Sequence, residues 1–330
     1  MIVRCRSTLS FVLACLLTPT LAVLATPTHA QTFPTRPIRI ISPNPAGAGP
    51  DVEVRQLTPH MSSELGVPIV VENRPGFAQL LGMEVVAKAT PDGYTLGGGT
   101  IGNLGSHPRL YDRPLYDPDR ALTPVSLSIK HPWLLYVHAS VPAQTFQQFV
   151  ALAKAKPDTI SYATNGVGTF LHLSTVLLQT MTGTRLRHVP YGAQPFQPEL
   201  LGGQVDAAMY PLITMVDHVK SGKLRALAIS NGKERSPQVP DVPMFSEVGL
   251  PQFDPSAWAG LVAPAGTPKP VIEKLSNAAA RAAQTSAYRE FAARVGATAV
   301  GSTPAEFDTF MKSERARWKK VIADNGIKLE

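Results

Sequence analysis

The feature that most constrains this chain is its first 30 residues, because they decide what is left to fold. Arg4 and Arg6 give a positive start. An apolar run from Leu9 to Leu17 follows, extended by Leu21–Ala25, and the segment closes on small residues at Pro27-Thr28-His29-Ala30. Charge, apolar stretch and small-residue end in that order read as a cleavable export signal cut after Ala30. Pro19 and the threonines interrupt the run well short of the about 20 apolar residues a membrane span needs. Both cysteines, Cys5 and Cys15, lie inside this segment, so the mature chain has no thiol and must fold on its hydrophobic core alone. Val12-Leu13-Ala14-Cys15 is a competing lipid-attachment pattern, with Cys15 as the anchor. The apolar run continues past Cys15, which favours cleavage.

The remaining 300 residues suit two domains better than one core. Arg4 and Arg6 leave with the signal, which takes the formal net charge from +7 to +5. A mildly basic surface favours an anionic ligand without identifying one. The sequence has no dense basic run and no aromatic-basic interleaving, and so does not read as a nucleic-acid binder.

Strand and helix signals alternate along the mature chain. Pro37–Ser42 reads as a strand, and Pro43–Asp51 as a Pro/Gly loop. A helical stretch follows with Val54, Leu57, Met61 and Leu65 on one face. Pro59 falls inside it and is expected to kink or break it. Pro68–Glu72 and Tyr94–Leu96 read as further strands, with a helix between them through Val85–Ala87. Strand, helix, strand, helix, strand is a parallel α/β layout. Further on, Thr145–Gln148 is a capping-box start. Ile160–Ala163, Gly203–Met209 and Leu224–Ile229 read as strands, and about 171–181 as a helix. Thr267-Pro268 opens another helix. Thr303-Pro304-Ala305-Glu306 is a capping box with Pro at the first helical position, and Asn325-Gly326 is a left-handed stop.

Two strand–glycine loop–helix units, 43–51 and 164–170, are the candidate binding elements. Glycine lets backbone N–H groups approach a ligand closely, and the following helix start carries partial positive charge. Such an end contributes roughly 0.3–1 kcal/mol toward a carboxylate. The candidates are Asn44, Ala46, Gly47, Ala48, Gly49 and Asp51 in the first loop, and Thr164, Asn165, Gly168 and Thr169 in the second. Either loop is also an ordinary tight α/β turn, and Asp51 is equally a helix cap that orders its loop. Trp258 serves a pocket wall or a core equally well. No nucleophile elbow, H-E-x-x-H, P-loop or complete G-x-G-x-x-G occurs, and the histidines show no ligand spacing. Neither catalysis nor a metal or cofactor is expected.

Several segments together resemble the periplasmic receptors of tripartite tricarboxylate transporters, the Bug-type solute-binding proteins. They are Arg36–Ile41 with its loop to Asp51, Val71–Gly76, Pro91–Leu96, His188–Tyr191, Leu200–Asp206, Gly222–Ala228, Pro240–Pro243, Ala263–Pro268 and Gly301–Pro304. The resemblance implies an α/β type II periplasmic-binding-protein fold: two α/β lobes, a ligand cleft and a hinge crossed twice. One lobe would be 31–130 plus 250–330 and the other 131–249. It implies a periplasmic, monomeric receptor that closes on a small organic ligand, a carboxylate above all, and presents it to a membrane permease. Tyr191, Ala193 and Tyr210 join the site on the same ground. Asn44, Ala48 and Pro50 depart from the family's first loop, Phe77-Ala78-Gln79 from a small Gly-rich run, and Tyr210-Pro211 from an Asp-Asn pair. Tyr210 and Phe196 add ring surface, which widens the ligand to an aromatic or neutral compound. A sensor kinase ectodomain is the alternative partner, and an exported α/β hydrolase is a remote third reading.

Overall fold

A computed structural model of the protein describes residues 33–111, 114–192, 194–230 and 234–328. Residues 1–30, read above as an export signal and including Cys5 and Cys15, and Ala193 lie outside the described residues.

Besides a π-helical turn at Gly102–Ser106 and a 3-10 turn at His107–Arg109, there are eleven strands and nine α-helices among the described residues. In chain order they are β1 Ile38–Ser42, α1 Gly49–Leu65, β2 Ile69–Asn73, α2 Leu80–Ala87, β3 Thr95–Thr100, β4 Leu122–His131 and β5 Trp133–His138. Then come α3 Phe146–Ala155, β6 Ser161–Thr164, α4 Phe170–Thr182, β7 Arg187–Pro190, α5 Gln197–Leu201, β8 Ala207–Pro211, α6 Leu212–Lys220 and β9 Leu224–Ile229. The chain ends with β10 Ala257–Pro264, α7 Lys269–Gln284, α8 Ser286–Arg294, β11 Thr298–Ala299 and α9 Pro304–Asp324.

These strands form two sheets. The first runs β11-β4-β10-β3-β1-β2, and the second β7-β6-β8-β5-β9. β1 pairs in parallel with β2 and β3, and β6 with β7 and β8. β10 enters the first sheet antiparallel between β3 and β4, while β5 lies antiparallel between β8 and β9. Each sheet thus keeps a parallel doubly wound half; the first also takes in β10 and the edge strand β11 antiparallel, and the second β5. This is the arrangement expected of the type II binding-protein fold, with mixed sheets where the sequence predicted a parallel layout. The chain passes from the first sheet to the second across one residue, Pro132, between β4 and β5. It returns after β9, ahead of β10.

Alternation within the strands explains the layers. On β1, Ile38 and Ile40 face α1, α7 and α8, where Val54, Leu57, Met61, Leu275 and Phe291 bury against them. Ile41 faces the opposite layer, with Leu80, Met83 and Val86 of α2 and with Phe307, Met311 and Trp318 of α9. The second layer is continuous with the core of the second sheet through Trp133 and Phe170. Phe170 packs edge-on against Trp133 at 4.5 Å and against Trp318 at 5.3 Å between ring centroids.

Two sequence expectations are corrected here. α1 runs unbroken through Pro59. The proline removes the N–H that would reach the Arg55 carbonyl, and the Thr58 hydroxyl donates to that carbonyl instead, at 3.1 Å. The strand predicted from Gly203 begins only at Ala207, because Gly203 takes a positive φ of 71° in the preceding turn. The terminal helix behaves as expected. Thr303 and Glu306 form a reciprocal capping box, and Gly326 is left-handed after the last turn.

Candidate functional site

The first loop connects the C-terminal end of β1 to α1, at the edge of a parallel sheet where α/β proteins bind ligands. Gly47 takes φ +81°, a region that favours glycine. Its N–H donates to Oδ2 of Asp51 at 2.9 Å. Asp51 is wholly buried. Its carboxylate also accepts from Arg55 Nε at 2.9 Å and from Asn73 Nδ2 at 2.6 Å. Burial alone would raise this carboxyl, yet the bonds from Arg55, Gly47 and Asn73 hold it down at about 2. Asp51 is therefore an internal latch that orders the loop from within the first turn of α1; the expectation that it is the helix N-cap is corrected, since Ala48 holds that position. The Ala48 N–H is also turned inward, onto the Pro45 carbonyl at 3.2 Å. The expectation that Gly47 and Ala48 offer their amides to a ligand is corrected: both amides are engaged within the loop. Ala46 and Gly49 stay at the loop surface, beside the start of α1.

Asn44 is buried and acts through two polar groups. Its carbonyl accepts from Asn73 Nδ2 at 3.0 Å, and its side-chain Oδ1 from Gln79 Nε2 at 3.0 Å. Gln79 extends this network inward. Its Oε1 accepts from Thr100 Oγ1 at 2.9 Å and from Asn103 Nδ2 at 3.2 Å. Phe77, Ala78 and Gln79 are consecutive left-handed residues, with φ of 44°, 50° and 72°. A non-glycine residue in that region costs of order 1–3 kcal/mol. The Gln79 bonds, with a 2.8 Å bond between His107 Nδ1 and the Ala78 carbonyl, hold the turn in place. Gln79, Asn73 and Asn103 were not singled out from the sequence. The one signal for them was the loss of a small Gly-rich run at 77–79, since left-handed residues that are not glycine need such anchors.

The second loop joins β6 to α4. Thr164 is fully buried, and its Oγ1 accepts from the Gly166 N–H at 3.0 Å. Thr169 caps α4, with its hydroxyl donating to the Gly166 carbonyl at 2.7 Å. Gly166 and Gly168 are left-handed, with φ of 124° and 77°. The Gly168 N–H points inward to His172 Nδ1 at 3.2 Å. Its expected role as a ligand donor is therefore taken by an internal bond. The exposed groups of this loop are Asn165, whose amide reaches the Gly192 carbonyl at 3.4 Å, and Val167.

Two histidines brace this loop from below. His172 and His188 lie 4.4 Å apart by ring centroid, with Tyr162 beside both. His188 Nε2 bonds Thr164 Oγ1 at 2.6 Å. Burial, and then the charge of His188, push His172 down to about 4, and burial also lowers His188. The pair is thus held neutral. The sequence dismissed these histidines because no spacing connects them. Only the fold brings α4 and β7 together.

Tyr191 follows β7 and donates its N–H to the Thr164 carbonyl at 2.8 Å. Tyr210 ends β8, and its hydroxyl accepts from Gln197 Nε2 at 2.8 Å, with its ring edge-on to Phe196. Both tyrosines are half-buried at the C-terminal edge of the second sheet's parallel strands. Trp258 is corrected to a core residue. It is 2% exposed, packs against Phe307 and Phe310, and donates Nε1 to Oε2 of buried Glu314 at 3.1 Å. Two concavities lie elsewhere and include no residue of either loop. One is at the outer end of α9 beside Pro118 and Lys319. The other, about 550 Å³, is at the strand crossings beside Pro132 and Ser256.

The profile of the tripartite tricarboxylate transporter family receptor matches residues 53–327. The protein BugT of Bordetella pertussis is 36% identical over 315 residues, covering 94% of this chain and 95% of that one. MatC from Rhodopseudomonas palustris, solved with bound malate, is 34% identical. The match covers 88% of this chain and all of that one, with a TM-score of 0.71. A second Rhodopseudomonas palustris protein, solved with adipate, is 30% identical over 90% of this chain and 99% of its own, with a TM-score of 0.73.

Proposed function

The chain belongs to the tripartite tricarboxylate transporter receptor family, and from that premise we propose that it captures a small dicarboxylate between two lobes in the periplasm and delivers it to a membrane permease. The observation that carries this reading is the pair of glycine loops at the C-terminal edges of β1 and β6, each followed by a helix start. Such edges aim the helix dipoles at an anion, while the Gly47, Ala48 and Gly168 amides fix the shape of the loops. The malate- and adipate-bound relatives have the chemistry this arrangement suits.

The lobes follow the sheets. The first comprises 31–130 plus 250–330 and the second 131–249, with the crossing itself one residue later, since His131 ends β4. Phe245 packs on Phe146 of α3 and Phe253 packs on Phe245, which supports setting the return crossing at Asp254–Ser256, a few residues beyond 249/250. Both crossings meet in one cluster. Ser230 Oγ accepts from the Trp133 N–H at 2.7 Å and from Ser256 Oγ at 3.2 Å. Closure is a shift between open and closed populations, driven by ligand contacts made better in the closed form.

Isothermal titration of the secreted protein with malate, adipate and citrate, alongside the corresponding neutral amides, tests the reading. We expect a dicarboxylate to bind and its diamide not to. Binding confined to the amides would defeat the anion reading. Intact-mass measurement of the exported protein should show a chain starting at Gln31. A lipidated Cys15 would place it on a membrane instead.

A further inference from the structure

This inference rests on the carboxylate-receptor reading above. We propose that Phe77 and Tyr111 form an aromatic subsite beside the first glycine loop, and that it selects carboxylates carrying a planar ring over flexible aliphatic ones.

The argument begins with the backbone. Three consecutive non-glycine residues, Phe77, Ala78 and Gln79, occupy the left-handed region. Such a turn persists only where its surroundings over-determine it, and outliers of this kind gather at ligand clamps. Here Gln79 is tied to Asn44, Thr100 and Asn103, and the Ala78 carbonyl to His107. The turn therefore has a fixed shape, and that shape holds the Phe77 side chain outward. Phe77 is 47% exposed, an unusual state for a phenyl ring, while one part of it rests on Tyr111 at 4.7 Å between centroids with planes 31° apart. A stacked neighbour restricts the ring, so its open surface is presented in one orientation.

Position identifies the occupant. The turn leaves the C-terminal end of β2, the strand next to β1, on the edge that carries the first glycine loop. The Gln79–Asn44 bond joins the turn to that loop directly. A ligand whose carboxylate lies at the loop would extend its body toward Phe77. Two cationic side chains at this edge, Arg55 and Arg74, are paired with Asp51 and Glu72. The open face of Phe77 offers the body of the ligand an apolar, planar contact. The corresponding edge of the second sheet carries the half-buried rings of Tyr191 and Tyr210. Offset stacking on such rings adds to simple burial and requires a flat partner.

Terephthalate and adipate form a matched pair of probes. Both carry two carboxylates separated by four carbon atoms, one across a rigid ring and the other along a flexible chain. Titration calorimetry on the secreted protein should show terephthalate bound about tenfold tighter than adipate. In Phe77→Ala terephthalate should lose about tenfold in affinity and adipate only a small part of that, so that the preference falls to within about twofold, and Phe77→Tyr should restore it. Phe77 is at the surface, so its truncation leaves the core intact, and circular dichroism of each variant checks this. Adipate binding as tightly as terephthalate, or a preference that survives Phe77→Ala, overturns the proposal and leaves the carboxylate reading standing. The same holds if malate or citrate binds and neither probe does. If no carboxylate binds, both readings fall.

Discussion

The Gly47 N–H donates to the carboxylate of Asp51 at 2.9 Å, across the junction where loop becomes helix. The bond makes the shape of the first loop depend on a buried charge that also holds Arg55 and Asn73. Replacing Asp51 by Asn keeps the size, removes the charge and sets a donor amide against donors. Hydrogen bonds to charged groups contribute about 1.5–3 kcal/mol. Asp51→Asn should therefore lower unfolding free energy by about 2 kcal/mol in urea titration, and weaken carboxylate binding as the loop relaxes. Unchanged stability would mean that the latch is not under load.

Trp258 and Glu314 yield a prediction of the opposite kind. Glu314 is buried, and burial raises its carboxyl. Arg317 and the indoles of Trp258 and Trp318 oppose that rise. Trp258→Phe keeps the ring packing and removes one donor. Stability should fall by about 1–3 kcal/mol, while dicarboxylate affinity stays within twofold. A tenfold loss of affinity would return Trp258 to the binding site.

The contrast between these residues shows what was legible in the sequence. The β1–loop–α1 unit, the Thr303 capping box and the glycine loops were readable because their signals are local. The strands β4, β5 and β10 gave no such signal. They are buried on both faces for much of their length and so show little polar alternation. β10 finds its partners β3 and β4 far away in the chain. The Gly97-Gly98-Gly99 run hid the length of β3. At Gly99 the absence of a side chain makes room for Leu104, whose Cδ1 would lie 2.2 Å from a Cβ there. At the site, sequence indicated the loops and missed their supports. Which amides turn inward depends on Asp51 and His172, and the 77–79 turn depends on Gln79; the Gln79 contacts exist only once separate elements have packed.

Ala78 offers a change that should stabilise. Its φ of 50° disfavours any Cβ, and its role in the network runs through its carbonyl, which glycine keeps. Glycine also loosens the unfolded chain, which offsets part of the relief. Ala78→Gly should raise stability by about 0.5–1 kcal/mol and the melting temperature by roughly 2 °C, read by differential scanning calorimetry. Most substitutions destabilise, so a rise is diagnostic, and a fall would deny that the turn is strained.

His172 separates a hydrogen bond from a titration. Its Nδ1 accepts the Gly168 N–H, and its pKa is depressed to about 4 from 6.5. Below 6.5 the unfolded chain takes up a proton that the folded form refuses, so this group makes stability fall as pH drops from about 6.5 to about 4. Glu314 works in the other direction, because its raised carboxyl makes stability fall as pH rises above its unfolded value of 4.5. Asp51 acts lower still, with its contribution lost between 3.8 and about 2. The His172 share is isolated by comparing variants. His172→Asn retains an acceptor oxygen for the Gly168 N–H and cannot titrate. His172→Leu removes both. Guanidinium unfolding of wild type and His172→Asn should therefore diverge as pH falls from 7 to 4, with the variant losing less stability. Hydrogen exchange of the Gly168 amide, followed by NMR at pH 7, should stay protected in His172→Asn and become at least tenfold faster in His172→Leu. Parallel pH curves for wild type and His172→Asn would show that His172 titrates normally, and equal Gly168 exchange in both variants would show that the loop is held by other contacts.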